Sequence, residues 1–224
     1  MRFTVVQHAA TLFGLFVFAT IAGIAAAPCV TLFRAMRGKG DFLDALLLGH
    51  VILLQGILHV WLCGPSSWIF RIPLEEGRYP FRSWTAIRWG FNLAFHRMTL
   101  LFLPVFVPTF VADVYYRLSG LRAGRGVQIN TAYLNDASLV TLGDGSVIGG
   151  MAFVNCHIVE RGELVLAPVT IGANCTVGGG AFLNPGVVLE DGAVVASRAV
   201  VPKYTVIPHG EVWGGVPARC IRGA

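Results

Sequence analysis

The sequence predicts a mainly β C-terminal region wound as a parallel β-helix, behind an N-terminal α-helical membrane region. Three observations predict it. From Ile171 to Ile207 an aliphatic residue recurs every sixth position: Ile171, Val177, Leu183, Leu189, Val195, Val201 and Ile207. The fifth position of each hexad is small or compact, as in Cys175, Ala181, Val187, Ala193, Ala199 and Thr205. The first half holds most of the apolar surplus in a 224-residue chain that is 55% hydrophobic and only 13% charged.

A period of six fits neither the helical repeat nor the alternation of a long strand. It fits a repeat architecture in which each hexad is one short flat face and three hexads close a triangular coil. The aliphatic residues then stack inward as ladders, and the compact fifth positions fill the corners. Gly172, Asn174, Gly178, Gly180, Asn184, Gly186 and Gly192 supply the turns, where glycine and asparagine reach positive φ cheaply.

In chain order, the stretch from Val5 to Phe33 is almost entirely apolar or small. About 20 such residues span a bilayer, so it is long enough to cross with tilt. Ala25-Ala26-Ala27 resembles a signal-peptide cleavage site, but the apolar core exceeds the length usual for one. Arg34, Arg37, Lys39 and Asp41 form a polar loop. A second run of spanning length extends from Phe42 to Cys63 and carries His50, Gln55 and His59. Polar groups inside a span face neighbouring helices or a functional path, and helix-to-helix hydrogen bonding is the expectation here. Cys63-Gly-Pro-Ser-Ser is expected to end that helix. Trp61, Trp68, Trp84 and Trp89, with Arg71, Arg78, Arg82 and Arg88, follow the pattern of an interfacial belt. Residues 91–112 are apolar but contain Pro104 and Pro108, which disfavour a regular span and predict a kinked, re-entrant or surface-lying segment. This divides the chain into a membrane and interfacial region, residues 1–118, and a solenoid, residues 119–224.

The early coils are less regular. Leu121 and Val127 are in phase, the spacing stretches through Leu134 and Val140, and Leu142, Ile148 and Val154 restore six. The frame breaks from Glu160 to Pro168, which predicts an extruded loop, the usual place for function.

Just before the break stands Asn155-Cys-His-Ile-Val-Glu160. His157 is the expected general base, because an imidazole titrates near neutral pH. It would take a proton from a hydroxyl or amine attacking an activated acyl carbon. Glu160 is expected to orient it, and backbone N–H groups of Gly178 to Gly180 to hold the thioester oxyanion. Cys156 is expected to face the core, since neighbouring strand residues point to opposite sides. Lys203 and Arg219 form a cation pair suited to phosphates. The solenoid's histidines, His157 and His209, fall short of the three that zinc hydration chemistry needs. The five cysteines form no CxxC pair, which suits a reducing compartment and gives no metal signature. Net charge is +5, spread along the chain rather than gathered into a nucleic-acid stripe.

Val169-Thr-Ile-Gly-Ala-Asn, Val177-Gly-Gly-Gly, Leu183-Asn-Pro-Gly-Val and Gly214-Gly-Val-Pro-Ala-Arg resemble the left-handed β-helix hexapeptide acyltransferases, the galactoside and maltose acetyltransferases among them. The resemblance covers about residues 142–222. It implies left-handed winding, a loop histidine as general base matched by His157, and a homotrimer that binds acyl-CoA in the groove between neighbouring solenoids. The positions matching the CoA-lining residues are Gly179, Ser197, Pro202, Lys203 and Arg219. Pro202 stands where the family often has a hydroxylated residue, and its sugar-binding residues are not recognisable here.

The front half, with Tyr79-Pro-Phe-Arg-Ser-Trp and Tyr116-Arg-Leu-Ser-Gly, is similar to membrane-tethered terminal domains of polylysine-synthetase-like peptide synthetases. That similarity implies an acceptor or product handled at the membrane. The expectation is therefore a membrane-anchored acyltransferase using acyl-CoA, acetyl-CoA first, with no metal. Its solenoid faces the cytoplasm, its neighbours are membrane lipid, and its acceptor is lipid-linked or belongs to a biosynthetic assembly. The alternative is a non-catalytic membrane scaffold or carrier-interacting module.

Overall fold

The computed structural model describes residues 2–69 and 74–224, without the side chains of residues 2–7, 10 and 66–69. Two long helices open the chain, α1 (Arg2–Met36) and α2 (Asp41–Ile69). The Asp44 carboxylate fixes the turn between them by accepting from the N–H groups of Gly38 and Lys39 at 3.0 and 3.3 Å. Both helices are long and apolar enough to cross a membrane. Leu12, Phe16, Phe42 and Ile52 stand exposed along them, as a lipid-facing surface requires. Gln55 donates to the Ala22 carbonyl at 3.2 Å and His59 Nε2 meets the Met98 carbonyl at 3.2 Å. His50 bonds within its own helix, to Leu46.

The helix does not end at Cys63-Gly-Pro-Ser-Ser as expected. α2 runs through Pro65 to Ile69. Packing overrides the local break: a Cβ added at Gly64 would lie 3.0 Å from Leu118 Cβ, so a second helix presses on α2 at that point. Strand β1 (Gly77–Pro80) and helices α3 (Trp84–Thr99), α4 (Leu103–Phe106) and α5 (Phe110–Leu118) follow. The segment with Pro104 and Pro108 is thus broken into three short helices rather than one span. Pro104 sits in the first turn of α4, where its missing N–H costs nothing.

The remainder is a parallel, three-faced solenoid. Its strands are β2 (Arg122–Ala123), β3 (Gln128–Ile129), β4 (Val140–Leu142), β5 (Val147–Ile148) and β6 (Phe153–Val154). A hairpin, β7 (His157–Glu160) and β8 (Glu163–Leu166), interrupts them. Then come β9 (Val169–Ile171), β10 (Thr176–Val177), β11 (Phe182–Leu183), β12 (Val188–Leu189), β13 (Val194–Val195), β14 (Val200–Val201) and β15 (Val206–Ile207). An antiparallel pair, β16 (Val212–Gly215) and β17 (Ala218–Arg222), closes the chain. Strands stack in the orders β2-β4-β9-β12-β15, β3-β5-β10-β13-β16 and β6-β11-β14.

Pairings such as Val177 with Val195 and Leu189 with Ile207 step one coil, three hexads, along the chain. Every hexad-opening aliphatic from Ile171 to Ile207 is essentially buried. The fourth hexad position is left-handed throughout, from Asn174 (φ 54°) to Tyr204 (φ 59°). Gly178 serves differently: a Cβ there would lie 2.4 Å from the Ser197 backbone nitrogen, so only glycine lets the coils approach.

Two expectations change in the early coils. The first ladder positions are Ala123 and Ile129, paired with Leu142 and Ile148, not Leu121 and Val127. The frame break begins at His157 rather than Glu160, because Val154 is followed directly by the hairpin. β1 adds to that hairpin antiparallel, pairing Gly77 with Leu166. One continuous apolar core joins helix residues such as Trp89, Leu103 and Tyr116 to solenoid residues such as Leu134 and Val154. Tyr116 Oη donates to the Thr131 carbonyl at 2.9 Å across this junction.

Candidate active site

The site forms where two departures from the regular coil meet. The first is the stretched segment between Leu134 and Val140. Asp136 there adopts φ 61°, a left-handed conformation that aspartate tolerates better than most residues. It turns the chain into a short 3₁₀ turn, Ala137–Leu139. The second is the start of β7. Asn135 donates to the Asn155 side-chain oxygen at 2.5 Å, tying the two segments together.

His157 Nδ1 lies 2.5 Å from Asp136 Oδ2. The Asp136 carboxylate is 1% exposed and the imidazole 17%. Trp89 of α3 donates from Nε1 to Asp136 Oδ1 at 3.0 Å, and its ring lies 4.7 Å from the imidazole, tilted by 59°. The carboxylate is therefore gripped from both sides. With Nδ1 committed to Asp136, Nε2 is the nitrogen left to accept a proton, and the buried carboxylate stabilises the imidazolium that results. This is the geometry of an oriented general base.

Several predicted partners fall elsewhere. Glu160 does not hold His157. Its carboxylate accepts from Lys203 Nζ at 2.6 and 2.8 Å and from Arg78 at 3.3 Å. The Lys203 ammonium, with Arg78 behind it, holds the Glu160 carboxyl below the ordinary range. Arg78 also pairs with Glu163 at 3.0 Å. Lys203 and Arg219 are not a joint cation site in this arrangement. Lys203 is on Glu160, while Arg219 in β17 donates to the Ala218 carbonyl at 2.9 Å.

The Gly178 and Gly180 N–H groups are spent inside the solenoid, on the carbonyls of Val195 and Gly150, so they do not form an oxyanion hole. Gly179 lies in the same corner stack, its carbonyl accepting from the Arg198 N–H at 2.9 Å. Ser197 and Lys203 are exposed on later coils, and Pro202 is half-buried between Val201 and Lys203.

Cys156 faces the core, fully buried and against the Leu139 carbonyl. Burial, with Asp136 nearby, pushes its thiol well above the ordinary range, which leaves it protonated and unsuited to nucleophilic attack.

The aromatic belt is only partly a belt. Trp84 is exposed, but Trp61 donates to the Val111 carbonyl and Trp89 belongs to the site. The Trp68 side chain and Arg71 lie outside the described residues. The missed residues, Asp136 and Trp89, had one signal in the sequence. Asp136 is the one carboxylate in the stretch where the hexad spacing first fails.

No protein-family model matches the chain. Over 153 residues, 68% of its length, it is 31% identical to a delta-poly-L-ornithine synthetase of Acinetobacter baumannii, of which it spans 11%. Among solved structures, a maltose O-acetyltransferase from Clostridium difficile aligns with a TM-score of 0.45 at 18% identity. The alignment covers 66% of this chain and 93% of that one. A hexapeptide-repeat-containing acetyltransferase from Vibrio cholerae, complexed with acetyl coenzyme A, aligns at 0.48 and 19% identity, over 70% and 97% of the two chains.

The structural neighbours are hexapeptide-repeat acetyltransferases.

Proposed function

We propose that the chain is a membrane-anchored acyltransferase that moves an acyl group, acetyl first, from acyl-CoA to a hydroxyl or amine. The observation that carries this reading is the Asp136–His157 pair, a buried carboxylate under a partly exposed imidazole. His157 Nε2 takes the proton of the acceptor O–H or N–H as that oxygen or nitrogen attacks the thioester carbonyl carbon. The C–S bond then breaks, and the imidazolium returns its proton to the departing CoA sulfur.

Residues 119–224 form the acyltransferase domain in this reading, wound left-handed and assembled as a homotrimer. CoA lies along the groove between solenoids by Gly179, Ser197, Pro202, Lys203 and Arg219. Lys203 exchanges Glu160 for a phosphate when CoA arrives. Residues 1–118 anchor the enzyme, with α1 and α2 crossing the inner membrane and the solenoid on the cytoplasmic side where CoA is. That placement favours an acceptor that is lipid-linked or arrives along the interface.

The test is CoA release from acetyl-CoA by the full chain in detergent, with and without an acceptor panel. His157→Ala is expected to slow release by about 100- to 10,000-fold while the oligomer stays intact. Unchanged release would remove His157 from the mechanism. A second reading, a carrier-interacting module without CoA chemistry, draws on the similarity to a polymer-forming synthetase. It predicts no CoA binding at all.

A further inference from the structure

Behind the Asp136 carboxylate lies a space that the acyl-transfer reading does not use. A cavity of about 30 Å³ sits among α2, α3, α5 and the Asp136 segment, with Asn92, His96, Tyr115, Ser119, Asp136 and Ser138 on its wall. Two polar atoms of these residues are buried without a partner among the described residues, His96 Nε2 and Ser119 Oγ. His96 as a whole is only 7% exposed. Buried polar groups are almost always satisfied, by protein or by ordered water. A water needs about 10–15 Å³ of such space and two to four polar neighbours, so the cavity suits one or two.

The proton arrangement follows from the neighbours. Tyr115 Oη lies 2.9 Å from His96 Nδ1. Burial pushes the Tyr115 phenol up, which keeps its O–H available as a donor to Nδ1, with Thr99 and Ser119 also beside the phenol. With that donor on Nδ1, the ring's own proton is on Nε2, which makes no hydrogen bond among the described residues; the Ala132 carbonyl beside it lies outside hydrogen-bond geometry. Burial holds the His96 imidazole neutral, pushing it down to about 4, with Asp136 and the Ala132 carbonyl pulling it up and Arg97 of α3 pushing it down. The other titratable groups beside the ring are Tyr116 of α5 and Cys63 of α2, which lines the cavity.

We propose that water in this cavity carries a hydrogen bond from His96 Nε2 to the Asp136 carboxylate, making His96 and Tyr115 positioning residues for the His157 base. Asp136 then has three donors: Trp89 on Oδ1, His157 on Oδ2, and the water. The third donor draws on the same carboxylate charge that holds the imidazole. The helical region does more than anchor the solenoid, because α3 and α5 supply the groups that set the base. The catalytic consequence rests on the acyl-transfer reading, but the hydrogen-bond chain does not.

The test is proton-detected NMR of the full chain in detergent micelles, labelled with [¹⁵N]histidine, His157 being assigned by its missing signal in His157→Ala. His96 is expected as the Nε2–H tautomer, neutral across the titration. In His96→Phe the carboxylate loses a donor, and the His157 pKa is expected to rise by about half a unit or more. In His96→Gln, whose amide still donates into the cavity, it is expected to stay within a few tenths. If His96→Phe does not fold, Tyr115→Phe gives the same reading by releasing the tautomer. An Nδ1–H tautomer in the unaltered protein, or an unmoved His157 titration in a folded His96→Phe or Tyr115→Phe protein, overturns the proposal. Failure of the acyl-transfer reading shows separately, as absence of CoA release from a protein whose His157 titration still shifts.

Discussion

Asp136→Asn isolates the role of the buried carboxylate, because asparagine matches its shape and tolerates its left-handed backbone (φ 61°). The amide has one acceptor and one donor face, whereas the site presents two donors, Trp89 Nε1 at 3.0 Å and His157 Nδ1 at 2.5 Å. If the amide oxygen meets Trp89, its NH₂ meets His157. The imidazole must then carry its proton on Nε2, where a base needs a lone pair. The flipped amide sets NH₂ against the indole N–H. Turned that way the amide oxygen would still accept from Nδ1–H and leave Nε2 basic, but the donor–donor clash disfavours it. The first orientation prevails and general-base assistance is lost, an expected drop of about 100- to 10,000-fold in turnover, which is about 3–5 kcal/mol of barrier.

Stability should change little, within about 1 kcal/mol, since one hydrogen bond is weakened without a cavity. Asp136→Ala would differ, stranding the Trp89 donor at about 1–3 kcal/mol and adding about 1–2 kcal/mol of backbone strain. The assay is CoA release from acetyl-CoA with water standing in for the acceptor, alongside a thermal melt. A folded Asp136→Asn protein with turnover within about threefold of the unaltered chain would refute the reasoning, because general-base assistance is worth far more than that.

Three further outcomes follow from the same geometry. His96 is held near 4 against an ordinary value of 6.5, so the unfolded chain binds its proton first. Its contribution is complete above about pH 6.5 and falls away as the pH drops toward 4, up to about 3 kcal/mol in all. Melts of His96→Gln should lose that part of the acid sensitivity. Gly178→Ala places a Cβ 2.4 Å from a backbone nitrogen and should cost about 1–3 kcal/mol or more, read as a lower melting temperature without a change of oligomer at low temperature. Glu160→Gln removes the charge that holds Lys203 at 2.6 Å. It should tighten acetyl-CoA binding and steepen its salt dependence, read by titration at two ionic strengths.

The solenoid from Ile171 onward was legible because its physics is local. A hexad states its inward residue, its corner and its turn within six positions, and the ladder repeats the statement. The early coils were harder, since a ladder through Ala123 and Ile129 is weaker in composition than Leu121 and Val127 beside it. The α2 helix passes Pro65 because α5 packs on Gly64, a contact from a segment about fifty residues away in sequence.

At the site, His157 was readable from its place at the frame break, but its partner was not. Glu160 is near in sequence, yet Lys203 and Arg78 draw its carboxylate away. Asp136 is 21 residues upstream and reaches His157 only because two irregular corners stack in adjacent coils. Trp89 looked like a membrane-interface residue by composition. Only the packing of α3 on the solenoid turns it into a hydrogen-bond donor for the site.

The most direct test of the central claim is calorimetric titration of acetyl-CoA into the purified full chain, repeated with the Lys203→Ala/Arg219→Ala variant. The account predicts micromolar affinity with one acetyl-CoA per chain, weakened strongly in the variant. Absence of any binding heat or thermal stabilisation by acetyl-CoA, from an intact oligomer, would contradict it.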